Sequence, residues 1–310
     1  MAGDTQSPDF LEEPTARTIR AGDLEAVFLP ARGMLGASLR YNAVEILGRV
    51  EDLGGAAAKG SSVGIPLLYP WANRLAEPRY SVEGRDVTLD VSSPLLHLDE
   101  HGLPMHGVPW SMLSWALTDA RPDSVTARLA WTTDELLAIF PFRHHLEMTA
   151  SIDSDGLTIE TTLIASFEGP VPVSFGFHPY VRPAEISREK WRLQLPAMRK
   201  LVLDGRGIPT GAEETFGGFD GLLGEISFDD GFVLIEEPAS FSITAGTRRI
   251  SLELLEGYPY TQVFAPKDKE YIAIEPMTAP TSALTSGRGL RLVGPGERFR
   301  AVFRIRMDTP

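Results

Sequence analysis

Two short segments of this chain place an acid–base side chain where an apolar strand meets a proline. The first is Val-Pro-Val-Ser-Phe-Gly-Phe-His-Pro-Tyr at 171–180. Read as a strand, it turns Val173, Phe175 and Phe177 to the core and Ser174, Gly176 and His178 to the other face. The small residues beside His178 leave room for a ligand to approach the imidazole, and Pro179 holds it extended and ends ladder pairing. A histidine that merely caps a loop is the competing interpretation. The second segment is Tyr-Ile-Ala-Ile-Glu-Pro-Met-Thr-Ala-Pro at 271–280. Glu275 ends its apolar run and is again followed by proline, so a base with a raised pKa is expected, against a plain edge glutamate. Facing one pocket, His178 and Glu275 could donate one proton while accepting another.

A third region, 64–110, is too proline-rich at Gly-Ile-Pro-Leu-Leu-Tyr-Pro-Trp-Ala-Asn-Arg (64–74) for a helix or central strand. It sets Trp71 beside Asn73 and Arg74. An aromatic face, an amide and a guanidinium suit a polyhydroxylated ligand, through stacking and hydrogen bonds. His97, His101 and His106 follow within ten residues, with Asp99 and Glu100 between them. That spacing matches no metal-ligand pattern, and Gly102 and Pro104 would break a helix carrying it, so no metal is expected. His144-His145 reads as one ring in and one out on a strand. The glycine-rich run at 217–224 does not lead from a strand into a helix, so no nucleotide site is expected, and no Gly-x-Ser-x-Gly elbow is present.

The elements that must position these groups read mainly as strands. Leu146, Met148, Ala150 and Ile152 alternate on one face, the turn Asp153-Ser154-Asp155-Gly156 follows, and Leu157, Ile159, Thr161 and Leu163 resume the alternation. A second hairpin pairs 114–119 with 125–132. At the C-terminus Phe299, Ala301, Phe303, Ile305 and Met307 share a face opposite Arg298, Arg300, Arg304 and Arg306. Further strands are expected near 26–30, 86–91, 171–178, 241–245, 249–255, 260–265 and 271–275. The one helix with local support is 133–140. Gly and Pro supply 53 of 310 residues, about 17% against a usual figure of roughly 12%, an excess that fits many turns. No repeat or linker divides the chain, so 1–310 is expected to form a single all-β antiparallel sandwich domain, with 1–15 a loosely ordered N-terminal segment.

Composition removes other chemistries. With no cysteine there is no disulfide, thiol nucleophile, Cys-ligated zinc or iron–sulfur cluster. A net charge of −13 disfavours nucleic acid and anionic membrane surfaces. Residues 1–15 lack a basic and an apolar signal region, and no window approaches a membrane span, so a cytoplasmic protein is expected.

Together these segments resemble the aldose 1-epimerase (galactose mutarotase) family. Four motifs carry the likeness in order: Pro-Trp-Ala-Asn-Arg at 70–74, His106-Gly107, His178-Pro179-Tyr180 and Glu275-Pro-Met-Thr-Ala-Pro280. The resemblance implies a galactose mutarotase-like supersandwich with a sugar cleft on a concave face and no cofactor. It implies Glu275 as general base and His178 as general acid, with His106 near the ring oxygen and Arg74 and Asn73 on sugar hydroxyls. Asp229, in Phe228-Asp229-Asp230, matches the family's sugar-binding aspartate, and Gln262 sits where relatives carry a polar site residue. The sequence departs from the pattern in two places: Asp230 stands where a histidine is usual, and Val181 where an aromatic residue often follows. The activity so implied is interconversion of α and β anomers of free aldoses, by a monomer or weak homodimer with a small sugar as its partner. Two alternatives share the motifs. One is a hexose-phosphate epimerase, for which Arg79, Arg143 and Arg182 are candidate phosphate contacts. The other is a non-catalytic carbohydrate-binding protein of the same fold.

Overall fold

The computed structural model describes residues 11, 13–183 and 186–308. Most of the segment 1–15 therefore lies outside the described residues. Two large antiparallel sheets dominate. The nine-stranded sheet runs, edge to edge, Ala116–Arg121, Ser124–Trp131, His144–Ile152, Gly156–Ala165, Arg298–Asp308, Arg248–Glu256, Ala239–Ala245, Arg192–Leu195 and Phe219–Leu222. The eight-stranded sheet runs Pro209–Phe216, Met198–Leu203, Phe228–Leu234, Tyr260–Ala265, Ile272–Met277, Gly176–Phe177 and Leu67–Leu68, with Tyr180–Val181 also paired to Ile272–Met277. Arg17–Ala21, Leu24–Leu29, Leu35–Tyr41 and Val44–Glu45 form a smaller third sheet.

The strongest alternations in the sequence become the centre of the nine-stranded sheet. Ile152 pairs with Leu157 across a turn in which the Asp153 carboxylate accepts the N–H groups of Asp155 and Gly156. Leu146, Met148, Ala150 and Ile152 are all buried. The C-terminal strand lies between Gly156–Ala165 and Arg248–Glu256. Its arginine face meets Glu160, Glu256, Asp153 and Glu253 in surface ion pairs, each worth about 0–1 kcal/mol. Its apolar face does the larger work. Phe303 lies 4.9 Å from Phe177 and 6.0 Å from Tyr258, and Phe299 lies 6.1 Å from Phe175, so these rings tie the two sheets together. One apolar cluster extends from Ile19 to Met307.

The short helix Asp134–Ile139 forms where expected, with the Thr133 hydroxyl accepting the Leu136 N–H. His144 is buried and His145 half-buried, as the alternation predicted. Two expected strands need correction. The segment 171–178 is not one strand: Val171–Val173 pairs with Arg291–Val293, and Gly176–Phe177 joins the eight-stranded sheet. Glu275 does not end its strand, which continues through Pro276, opposite Thr261, to Met277. Among the described residues no helix is long and apolar enough to cross a membrane.

Phe303→Ala should cost about 3–5 kcal/mol, because a fully buried ring that bridges both sheets is lost. Urea unfolding would measure it, and a loss under about 1 kcal/mol would show that the sheets do not depend on this contact.

Candidate active site

Strand register brings the two acid–base groups together. Gly176 pairs with Met277 and Tyr180 with Ala273, and both pairings keep one antiparallel register, which sets position 178 opposite position 275. Opposed side chains start about 4.5–5.5 Å apart at Cβ. Here His178 Nε2 lies 3.1 Å from Glu275 Oε1. The row continues across the sheet, since Glu275 pairs with Gln262 and Gln262 with Gly231. Gly231 has a positional reason: a Cβ there would sit 3.1 Å from Gln262 Oε1.

The pair forms part of a cleft of about 360 Å³, toward the lower end of ligand-pocket sizes. His178 is 5% and Glu275 2% exposed. Burial, reinforced by the nearby Asp229 charge and partly offset by Arg74, raises the Glu275 pKa well above its ordinary value. Burial, followed by His106 and Arg49, lowers His178 well below its own. Each group alone is therefore pushed toward its neutral form, and in contact they hold one proton between them. His178 Nδ1 and Glu275 Oε2 are buried without a hydrogen-bond partner.

His106 packs edge-on to His178 at 5.8 Å between ring centroids. The Asn73 backbone N–H donates to its Nδ1 at 3.1 Å. A ring nitrogen that accepts carries no proton, so neutral His106 bears its N–H on Nε2. Burial, then the charges of Arg74 and His97, pulls its pKa down to about 3, which agrees with that tautomer. The Asn73 side-chain oxygen accepts from the Arg74 backbone N–H at 2.9 Å and from Arg74 Nη1 at 3.2 Å. Arg74 Nε donates to Asp99 at 2.6 Å. Asp99 also accepts the N–H groups of His101 and Leu103. Desolvation would raise its pKa, but the Leu103 N–H, Arg74 and the His101 N–H outweigh it and hold the carboxylate below its ordinary range.

The cleft concentrates backbone strain. Arg49, Asn73 and His106 line it with φ of +58°, +56° and +62°. Such left-handed conformations cost on the order of 1–3 kcal/mol each for a residue with a side chain.

Residues 39–306 match the family description "Aldose 1-epimerase". The chain belongs to the aldose 1-epimerase family. The Escherichia coli K12 protein YihR, itself uncharacterized, is 24% identical over 251 residues, 77% of each chain. Among solved structures, Slr1438 from Synechocystis sp. PCC 6803 is similar over 100% of both chains, with a TM-score of 0.80 and 22% identity. A galactose mutarotase-like protein from Clostridium acetobutylicum has a TM-score of 0.81 at 18% identity, over 94% of this chain and 95% of that one. The fold is thus galactose mutarotase-like.

Within this aldose 1-epimerase-family cleft lie His178, Glu275, His106, Asn73, Arg74 and Asp229. Gln262 acts behind the surface, its amide donating to Asp229 at 2.8 Å. Trp71 is a correction: at 1% exposure it packs in the apolar core, because its backbone bridges to Ser174 and turns the indole inward. Arg79, Arg143 and Arg182 do not line the cleft either. Arg79 and Arg143 are drawn outward toward Glu77 and Glu168. The cleft's guanidinium groups are Arg49 and Arg74. Nothing in the local pattern of the sequence singled out Arg49, and Tyr180 appeared there only as a motif member. Among the described residues no group of three or more His, Cys, Asp or Glu is placed to hold a metal ion.

Gly107, next in the chain to the cleft residue His106, should resist replacement. It has φ +66°, and a Cβ would lie 2.1 Å from the Tyr69 carbonyl oxygen. Gly107→Ala should lose clearly more stability than Gly102→Ala, whose φ is +72° but whose Cβ would meet nothing within 4 Å. The latter should lose only about 1–2 kcal/mol. Equal losses in chemical unfolding would show that the close approach has no consequence.

Proposed function

We propose that this protein is an aldose 1-epimerase that interconverts the α and β anomers of free aldoses. The observation that carries the reading is the buried His178–Glu275 contact of 3.1 Å within a cleft lined mostly by hydrogen-bonding side chains. Mutarotation needs a proton removed from O1 while the ring oxygen gains one. Glu275 takes the O1 proton, the C1–O bond to the ring oxygen breaks as the C1 carbonyl forms, and His178 gives its proton to the departing oxygen. Rotation about C1–C2 and the reverse transfers close the other anomer. One proton has left the substrate and one has entered, so the pair's count is unchanged after each half-cycle.

The remaining groups suit orientation. His106 offers an N–H from Nε2, placed by the Asn73 backbone, to the region of the ring oxygen. With the Asn73 oxygen engaged by Arg74, its NH₂ group is left to donate to a hydroxyl. Arg74 and Asp229 supply a donor fork and an acceptor, and Gln262 fixes Asp229. The unpartnered Glu275 Oε2 provides an acceptor inside the cleft. One observation favours the phosphorylated-hexose alternative. Arg49 lines the cleft and, among the described residues, forms no ion pair with a carboxylate, whereas Arg74 is paired with Asp99.

Polarimetry of freshly dissolved α-glucose or α-galactose tests the reading, and no acceleration on any free aldose would refute it. Glu275→Gln should lower the rate by about 10²–10⁴-fold while sugar binding survives. Hexoses compared with their 6-phosphates in the same assay separate the two substrate classes.

A shared proton also sets the pH profile. Alone, His178 would gain its proton only well below 6.5, and Glu275 would lose its own only well above 4.5. The pair is therefore singly protonated between those two displaced values, and kcat/KM should be level between them and fall on either side. Limbs at the ordinary 4.5 and 6.5 would contradict this.

A further inference from the structure

Tyr180 is sandwiched between two site groups. Its ring stacks on the His178 imidazole at 4.2 Å with 21° between planes, and the Arg49 guanidinium lies over it, 5.0 Å from the centroid. The Tyr271 ring closes one side edge-on at 5.2 Å. Arg49 Nη1 donates to the Tyr180 oxygen at 3.2 Å, and that oxygen lies 3.3 Å from His178 Nε2. We infer that Tyr180 and Arg49 form a positioning arm that orients His178 and steadies its imidazole once it has released its proton. The inference rests on the proton roles proposed above.

Arg49 has no acceptor atom, so its N–H must donate to the phenol oxygen, which leaves the phenol O–H free to donate. Burial, the largest influence, raises the Tyr180 pKa, so the phenol keeps its proton. His178 Nε2 faces both Glu275 Oε1, at 3.1 Å, and the Tyr180 oxygen. Carrying a proton, Nε2 donates to Glu275. Without one, it accepts from Tyr180. With the proton from O1 held on Glu275 Oε2, the freed Nε2 lone pair is left to Tyr180, so the tyrosine bond favours the state after transfer over the ionised pair that begins it. The Arg49 charge acts the same way, since it disfavours the imidazolium. The titratable and charged groups facing His178 are Glu275, His106, Tyr180 and Arg49; Phe264 meets it edge-on.

The backbone fixes the arm against the strand it serves. Gly48 N–H donates to the Tyr180 carbonyl at 3.1 Å, Arg182 N–H to the Ile46 carbonyl at 2.8 Å, and Gly64 N–H to the Arg49 carbonyl at 3.2 Å. These bonds hold Arg49 at φ +58°, a conformation glycine would adopt without strain. The guanidinium is what glycine would not provide.

Tyr180→Phe keeps the stacked ring and removes the hydroxyl. Arg49→Met keeps much of the length and removes the charge and donors. Each should lower kcat for mutarotation about tenfold, the worth of one such hydrogen bond, with a smaller change in KM. Both limbs of the kcat/KM profile should move to higher pH, because an imidazole without this donor or cation holds its proton more tightly. The His178 titration midpoint, followed by NMR of protein labelled with ¹⁵N-histidine, should rise in both variants. A fall in kcat with unmoved limbs and midpoint, as a purely structural role would give, overturns the inference. So does wild-type behaviour in both variants. If the parent protein accelerates no mutarotation yet the midpoint rises in both variants, the arm stands and the activity reading fails.

Discussion

Everything around the cleft depends on keeping a carboxyl group and an imidazole in contact where water is nearly absent. Burying an ionised carboxylate or imidazolium alone costs several kcal/mol even after relaxation. Mutual contact offsets that penalty only if the backbone leaves the two groups no alternative. The shared register of Gly176 with Met277 and Tyr180 with Ala273 does this, since sliding the strand by one residue would turn Glu275 to the opposite face. The aromatic contacts between the sheets, Phe177 with Phe303 and Phe175 with Phe299, resist such a slip from below. The contact in the cleft and the packing of the core are here two faces of the same strands.

Sequence alternation revealed the strands with one apolar and one polar face. The hairpin 144–165 and the strand Arg298–Asp308 are of this kind, and their core positions were readable residue by residue. Elements without that contrast were not readable. Leu35–Tyr41 is buried on both faces over its first five residues, so it shows no alternation, while Pro209–Phe216 is exposed almost throughout and shows none either. The same physics limited the site. His178, Glu275, Asn73, Arg74 and His106 stood out because their types are unusual in their settings. The neighbouring residue types at 71–74 point Trp71 toward a ligand, but its direction depends on a backbone bridge that no local pattern encodes. Arg49 stayed hidden because its partner Tyr180 is 131 residues away in the chain.

The cleft walls are held by conformations the chain would not choose locally. Arg49, Asn73 and His106 share left-handed backbone geometry, and each is fixed by bonds to a distant segment. The His106 N–H donates to the Asn73 carbonyl while the Asn73 N–H donates to the His106 ring, so the two strained residues hold each other. Sheet pairing supplies the rigid floor, and such reciprocal bonds supply the rim.

Asp99 draws these threads to one atom group. Its carboxylate, with a fully buried side chain, joins Arg74 to the loop that carries His101 and Leu103. A rim pinned at that point stands assembled before any ligand arrives. Side chains already fixed there have little conformational entropy left to lose when a ligand binds.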